Sequence, residues 1–156
     1  MDEYNHKRPH KIVVKFLYYA RSIDPTMLMS LNSLEAVQTN PKIKNAKQST
    51  HCLNYSATHP DTITEYRKSG MILHIFYDAS YISEPEARSR SGGYFPLVPK
   101  SNTPIKLMPQ NNRRVHIECS IMRNVISSAT EAELGGLFEK FQKVTYIKTT
   151  LSEMDH

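Results

Sequence analysis

The chain has 156 residues, enough for one domain with a core of its own, or for a small domain carrying a helical appendage. Apolar residues make up 39%, and no run approaches the roughly 18 consecutive apolar positions a membrane helix needs, so no membrane contact is expected. The net charge of +5 and a pI of about 9.2 are basic without being extreme and are compatible with an anionic partner.

Residues 1–10, MDEYNHKRPH, read as a polar tail with no secretion-type apolar segment after it, and an intracellular setting, cytoplasm or nucleus, is expected. Cys52 and Cys119 are too few for a disulfide framework and fit a reducing compartment. Residues 11–20, KIVVKFLYYA, are long for a strand and are assigned to a helix. Asp24-Pro25 has the form of an N-cap followed by proline at the first helical position. Met27, Leu28, Leu31 and Leu34 then follow at helical spacing. Asn40-Pro41 repeats the start signal, with Ile43, Ala46, Leu53 and Ala57 as the apolar stripe of a third helix. Residues 11–62 thus form a helical segment.

After His59-Pro60 the pattern changes to short strands. Ile63–Tyr66 is a candidate first strand. Residues 71–77, MILHIFY, are apolar enough for a central strand covered on both faces. Tyr94 to Val98 form the next, with Pro96 marking an edge or a bulge. Pro99, Pro104 and Pro109 make 99–112 a loop, and Arg114 to Cys119 alternate strictly, as a strand with one buried face does. A helix closes the chain from about Ala129 to Glu153. Ser128 is its N-cap, Glu131 sits at the third helical position, and Leu134, Leu137, Phe138 and Phe141 are the expected buried stripe.

Two acids stand out. Asp78 interrupts the apolar run at what reads as a strand end, where a turn or a metal site would use it. Glu133 has no capping role and lies on the flank of the helix stripe, while Glu131, about 200° away around the helix, cannot face the same site. Two carboxylates converging from a strand and a helix suit Mg²⁺ or Mn²⁺, although a metal pair needs more of them. Between Glu86 and Glu118 there is no Asp or Glu, but there are Arg88, Arg90, Lys100, Lys106, Arg113 and Arg114, with Tyr94 and Phe95 among them. Cations interleaved with aromatics suit a nucleic-acid backbone.

The stretches FLYYARSIDPTMLMSLNSL (16–34), Asn40 through CLNYSATHP (40–60), ILHIFYDASY (72–81), RSRSGGYF (88–95) and VISSATEAELGGL (125–137) together resemble the C-terminal part of the copia-type retrotransposon polyprotein. That part comprises the end of the reverse transcriptase, its connection and a ribonuclease H-like domain. The resemblance implies an α/β fold: a partial ribonuclease H-like mixed sheet with packed helices over 63–156, preceded by a helical connection at 11–62. It implies Asp78 and Glu133 as catalytic and metal-binding acids, with Glu131 as runner-up for the second. It implies Arg88, Arg90, Arg113 and Arg114 as phosphate contacts, and an RNA–DNA hybrid as partner. The parental chemistry would be Mg²⁺- or Mn²⁺-dependent hydrolysis of the RNA strand. The later acids of the family pattern have no counterpart before His156, so a C-terminally truncated, inactive fragment is expected, prone to associate through an exposed sheet edge. A non-enzymatic nucleic-acid or protein-binding module, or a gene relic, is the alternative.

Overall fold

The structure, a computed structural model, describes residues 3–38, 42–68, 70–98 and 113–154, with side chains from residue 10 onward. The chain divides into two compact units, Met1–Thr64 and Glu65–His156. No helix among the described residues is long and apolar enough to cross a membrane. The fold is mixed α/β, with every strand pairing antiparallel.

The first unit is helical. Helix α1 runs Glu3–Ser22, so residues 3–10 belong to a helix rather than to the expected tail. Asp24 accepts a hydrogen bond from the Thr26 amide at 3.1 Å and opens a short 3₁₀ turn, Pro25–Met27, that leads into α2, Leu28–Ala36. The cap signal works as its chemistry requires, since the carboxylate satisfies a donor that the first turn leaves unpaired. Met27, Leu28, Leu31 and Leu34 are all buried, together with Ile12, Val13 and Ala20 of α1. Helix α3, Ile43–Thr58, is turned from its expected orientation. Asn45, Ser49 and Cys52 face inward, while Ile43 is 71% exposed. The polar pair is tolerated because its groups are satisfied: Asn45 accepts from the Lys42 amide at 2.7 Å and Ser49 donates to the Asn45 carbonyl at 2.8 Å. The Asn40-Pro41 start signal lies outside the described residues.

In the second unit, β1 (Ile72–Leu73) and β2 (Phe76–Glu84) lie along one edge of β3 (Arg88–Val98), and β4 (Arg114–Ile121) lies along the other. Residues 71–77 are therefore not a central strand. They are split between β1 and β2 on an edge, and Ile72, Phe76 and Tyr77 stay roughly 40% exposed. The apolar run reads as a double-covered strand only if layers exist on both faces and a strand on its outer edge; among the described residues it pairs with β3 alone. The ladder to β4 shifts register between Phe95 and Pro96. Proline has no N–H to give a ladder, so a central strand can carry it only at such a bulge. Residues 63–66 form no strand.

Helix α4, Ala129–Glu153, packs on one sheet face. Its inward line is Ala132, Gly136 and Lys140, spaced by four residues. The approach is close: a Cβ on Gly136 would sit 3.3 Å from the Ala79 Cβ and 3.5 Å from that of Ser91. Of the expected stripe Leu137 is half-buried, and the other three residues turn outward. Leu134, Phe138 and Phe141 are 57–66% exposed. Small residues win the sheet-facing side because they let the backbones approach, and larger ones are displaced outward.

Candidate functional site

The cross-strand pairs sort every sheet residue by face. Tyr77 opposite Gly93 and Glu118, and Ala79 opposite Ser91 and Ser120, lie on the α4 side. Alternation sends their neighbours the other way. Asp78, opposite Gly92 and Cys119, therefore projects from the face that α4 does not cover. It is exposed, and it sits third in a nine-residue strand rather than at a strand end.

Glu133 is exposed as well. The preceding residue, Ala132, is buried in a small cluster with Met122 and Ile126, against which Ala79 packs. The helix turn bearing Glu133 and the strand segment bearing Asp78 are thus neighbours, as expected, but the two side chains leave from opposite sides of the sheet. Among the described residues no three His, Cys, Asp or Glu side chains gather to hold a metal. Two exposed carboxylates divided by a sheet are not the oxygen cage that Mg²⁺ requires, so this donor set does not fit a metal pair.

Glu131 is engaged in the helix start. Its amide donates to the Ser128 hydroxyl at 3.1 Å, and its carboxylate accepts from the Ser127 amide at 2.8 Å and hydroxyl at 2.5 Å. Those bonds from Ser127 lower its carboxyl pKa. The capping motif is real, but it closes on Ser127, one residue earlier than the sequence pattern suggests.

The arginines divide. Arg90 is buried, its guanidinium 2.5 Å from Glu84 and 3.4 Å from the Cys119 sulfur. Arg114 is 2% exposed. Neither can lie along a phosphate backbone, and the Phe95 ring is fully buried too. Arg88 is exposed and donates to the Met122 carbonyl at 3.0 Å; it also reaches the Arg123 carbonyl at 3.5 Å. Arg113 is half-buried. Lys100 and Lys106 lie outside the described residues. The cationic surface that remains is Arg88 with its neighbour Arg123, a residue not singled out from the sequence, together with Arg113. On the sheet face away from α4 the exposed Phe76 and half-buried Tyr94 rings stand 6.3 Å apart, two positions along from Asp78 and Gly92.

The densest charge cluster is elsewhere and was not expected. Lys140 is completely buried between α4 and the sheet. Its ammonium pairs with Glu118, donates to the Ser91 hydroxyl at 3.2 Å and lies 3.8 Å from Glu139. Ser91 in turn donates to Glu139 at 2.9 Å, and His116 approaches Glu118 at 3.4 Å. Burial pushes the Glu118 carboxyl up. The hydrogen bonds from His116 and Lys140 and the charges of Lys140 and Lys143 outweigh it and hold the carboxyl down at about 2. The sequence signal for this cluster is the line Ala132, Gly136, Lys140: a lysine continuing a ridge of small residues points where they point. With its ammonium fully buried among these partners, Lys140 fastens the helix to the sheet. Comparison with protein-family models, with curated proteins and with solved structures finds no match to this chain.

Proposed function

We propose that residues 65–156 form a nucleic-acid-binding module of ribonuclease H-like descent, related to copia-type retrotransposon polyproteins, with an RNA–DNA hybrid as its partner and little or no cleavage of its own. What carries the proposal is the β2–β3–β4–α4 order, with the SSATEAE turn of α4 resting on the DAS segment of β2 through Ala132 and Ala79. Arg88, Arg123 and Arg113 supply phosphate contacts, and Phe76, with the half-buried Tyr94 beside it, supplies ring surface on the sheet face away from α4 for stacking. Asp78 and Glu133 descend from the metal-binding acids of the parental Mg²⁺- or Mn²⁺-dependent nuclease. Their projection from opposite sides of the sheet favours binding over hydrolysis.

A gel-shift titration of the full chain with a labelled RNA–DNA hybrid, at rising salt, tests the proposal. Binding is expected at low salt and should weaken steeply as salt rises, because affinity built on phosphate contacts comes from counterion release. Arg88→Glu should weaken it further, and Arg90→Lys should act only through stability. Absence of binding at low salt would remove the nucleic-acid role. Robust cleavage with Mg²⁺ or Mn²⁺ that disappears in Asp78→Asn and Glu133→Gln would restore the nuclease.

A further inference from the structure

We propose that the outward face of α4 is a self-association surface, on which a second copy of this chain lays its own α4 antiparallel to the first. The face is defined by Glu131, Leu134, Phe138, Phe141, Thr145 and Lys148, all exposed. Their spacing alternates three and four residues, the seam of a two-helix packing. Leu134 is 66% exposed, Phe138 64% and Phe141 57%, on a helix whose inward side is small or polar.

The choice of occupant follows from the order of residues along that seam. Set antiparallel on itself, it places Phe138 against Phe141 of the second copy, Leu134 against Thr145, and Glu131 against Lys148, each twice by symmetry. No other residue of the seam is charged. Off the seam, Glu133 and Glu139 precede Lys143, while Lys140 is buried and Glu153 ends the helix. On the seam a parallel pair would set Glu131 beside Glu131 and Lys148 beside Lys148; the antiparallel pair sets Glu131 opposite Lys148 and each helix dipole against its reverse. A symmetric, self-complementary patch is what a two-fold dimer requires.

The apolar centre is small. Two aromatic rings and one leucine, partly buried already, bury roughly 350 Å² per copy on the usual side-chain areas, against about 800 Å² for a stable interface. The dimer is therefore weak and reversible, with a dissociation constant on the order of tens to hundreds of micromolar. It needs neither nucleic acid nor the open edge of β2.

Sedimentation equilibrium of the full chain, from about 10 µM to about 1 mM, reads it directly. The average mass should climb from 17.9 kDa toward twice that value. Phe138→Lys, which replaces an exposed side chain and should leave circular dichroism unchanged, should hold the chain monomeric throughout. Lys148→Glu alone should weaken association at least threefold, and so should Glu131→Lys alone. An equimolar mixture of those two variants should regain wild-type association, because only the mixed pair restores both opposite-charge contacts. If Glu131→Lys disturbs the helix start, Lys148→Glu and Phe138→Lys still decide. A monomer at every concentration would overturn the proposal. So would association that ignores Phe138→Lys, which would place the contact elsewhere, as at the β2 edge. Charge variants that associate like the wild type, alone as well as mixed, would overturn the antiparallel register.

Discussion

Helices α2 and α4 solve the same problem in opposite ways. Both carry leucines at helical spacing. In α2 the leucines go inside: Leu28, Leu31 and Leu34 are 0–3% exposed. In α4 Leu134, Phe138 and Phe141 go outside, Leu137 is half-buried, and alanine, glycine and a lysine go in. A helix packing on helices presents its bulk to grooves between side chains, where bulk is needed. A helix laid flat and close on a strand pair has no such grooves at the point of nearest approach. There, one Cβ too many collides with Ala79 or Ser91. Periodicity identifies the face of a helix that could be buried; the surface it meets decides which face is.

The largest test of this contrast is the ion pair beneath α4. Glu118→Ala leaves the Lys140 ammonium in its buried position with Ser91 and the more distant Glu139. Removing one partner of a buried pair is expected to lower stability by about 3–5 kcal/mol, read by denaturant unfolding followed with a probe in residues 65–156. Replacing both partners, Glu118→Leu with Lys140→Met, should lower it less than Glu118→Ala alone, because no charge is stranded. The pair also fixes a pH dependence. With the Glu118 carboxyl held at about 2 in the fold, below its ordinary 4.5, the unfolded chain binds the proton more readily. Stability from this group is complete above about pH 4.5 and is lost as pH falls toward 2, by on the order of 2–3 kcal/mol. Glu118→Ala should flatten that segment of the stability–pH curve.

Next comes the apolar interior of the helical unit. Leu31 is fully buried, and Leu31→Ala should lower stability by about 2–5 kcal/mol through lost burial and the cavity left behind. Hydrogen exchange of peptides from residues 3–38 reports it, with faster exchange expected. Protection unchanged there would mean that α2 is not packed as described.

These two sites also show what the sequence makes visible. The helix starts at Asp24 and Ser128, a strand at Arg114–Cys119, the bulge at Pro96 and the length of α4 could all be read, because each depends on local chemistry; the single buried apolar face expected of that strand is not found, since Arg114 is buried and Val115 is 44% exposed. The inward turn of Asn45 and Ser49, the burial of Arg90 and Arg114, and the split of 71–77 into two edge segments could not. Cys119 for Arg90 and Pro96 for His74 are partners distant in the chain, and which face of α3 turns inward is set by what packs on it. The candidate acids were legible as residues and as elements. Their failure to converge was not, because the facing of Asp78 is set by its pairing with Gly92, one position away from the pair that faces α4.

The two adjacent glycines of β3 sharpen the same point at smaller scale. Gly93 faces α4, and a Cβ there would stand 2.8 Å from the Phe95 ring and 2.9 Å from the Lys140 side chain. Gly92 faces the open side, where the nearest atom is a Glu118 carbonyl 3.9 Å away. Gly93→Ala should therefore cost about 1–3 kcal/mol through overpacking, while Gly92→Ala should be neutral or stabilising by about 0.4–1 kcal/mol through a less flexible unfolded chain. Thermal melts of the two variants side by side decide it; equal effects would mean that α4 does not press on β3 at Gly93.

The smallest expected effect is the most direct comparison of the two helices. Leu134→Ala is the same substitution as Leu31→Ala, in a helix, within a leucine-containing stripe of the same spacing. Leu134 is 66% exposed, however, where Leu31 is not exposed at all. Little apolar area returns to water on truncation, no cavity forms, and alanine is a slightly better helix former than leucine. Stability should change by less than about 0.5 kcal/mol when measured at low micromolar concentration, where a weak dimer does not contribute. Repeated near 1 mM, the same substitution should subtract whatever α4 gains from a second copy. A loss of about 2 kcal/mol or more at low concentration would instead mean that Leu134 is covered within the single chain. The inward side of α4 would then be the apolar stripe after all.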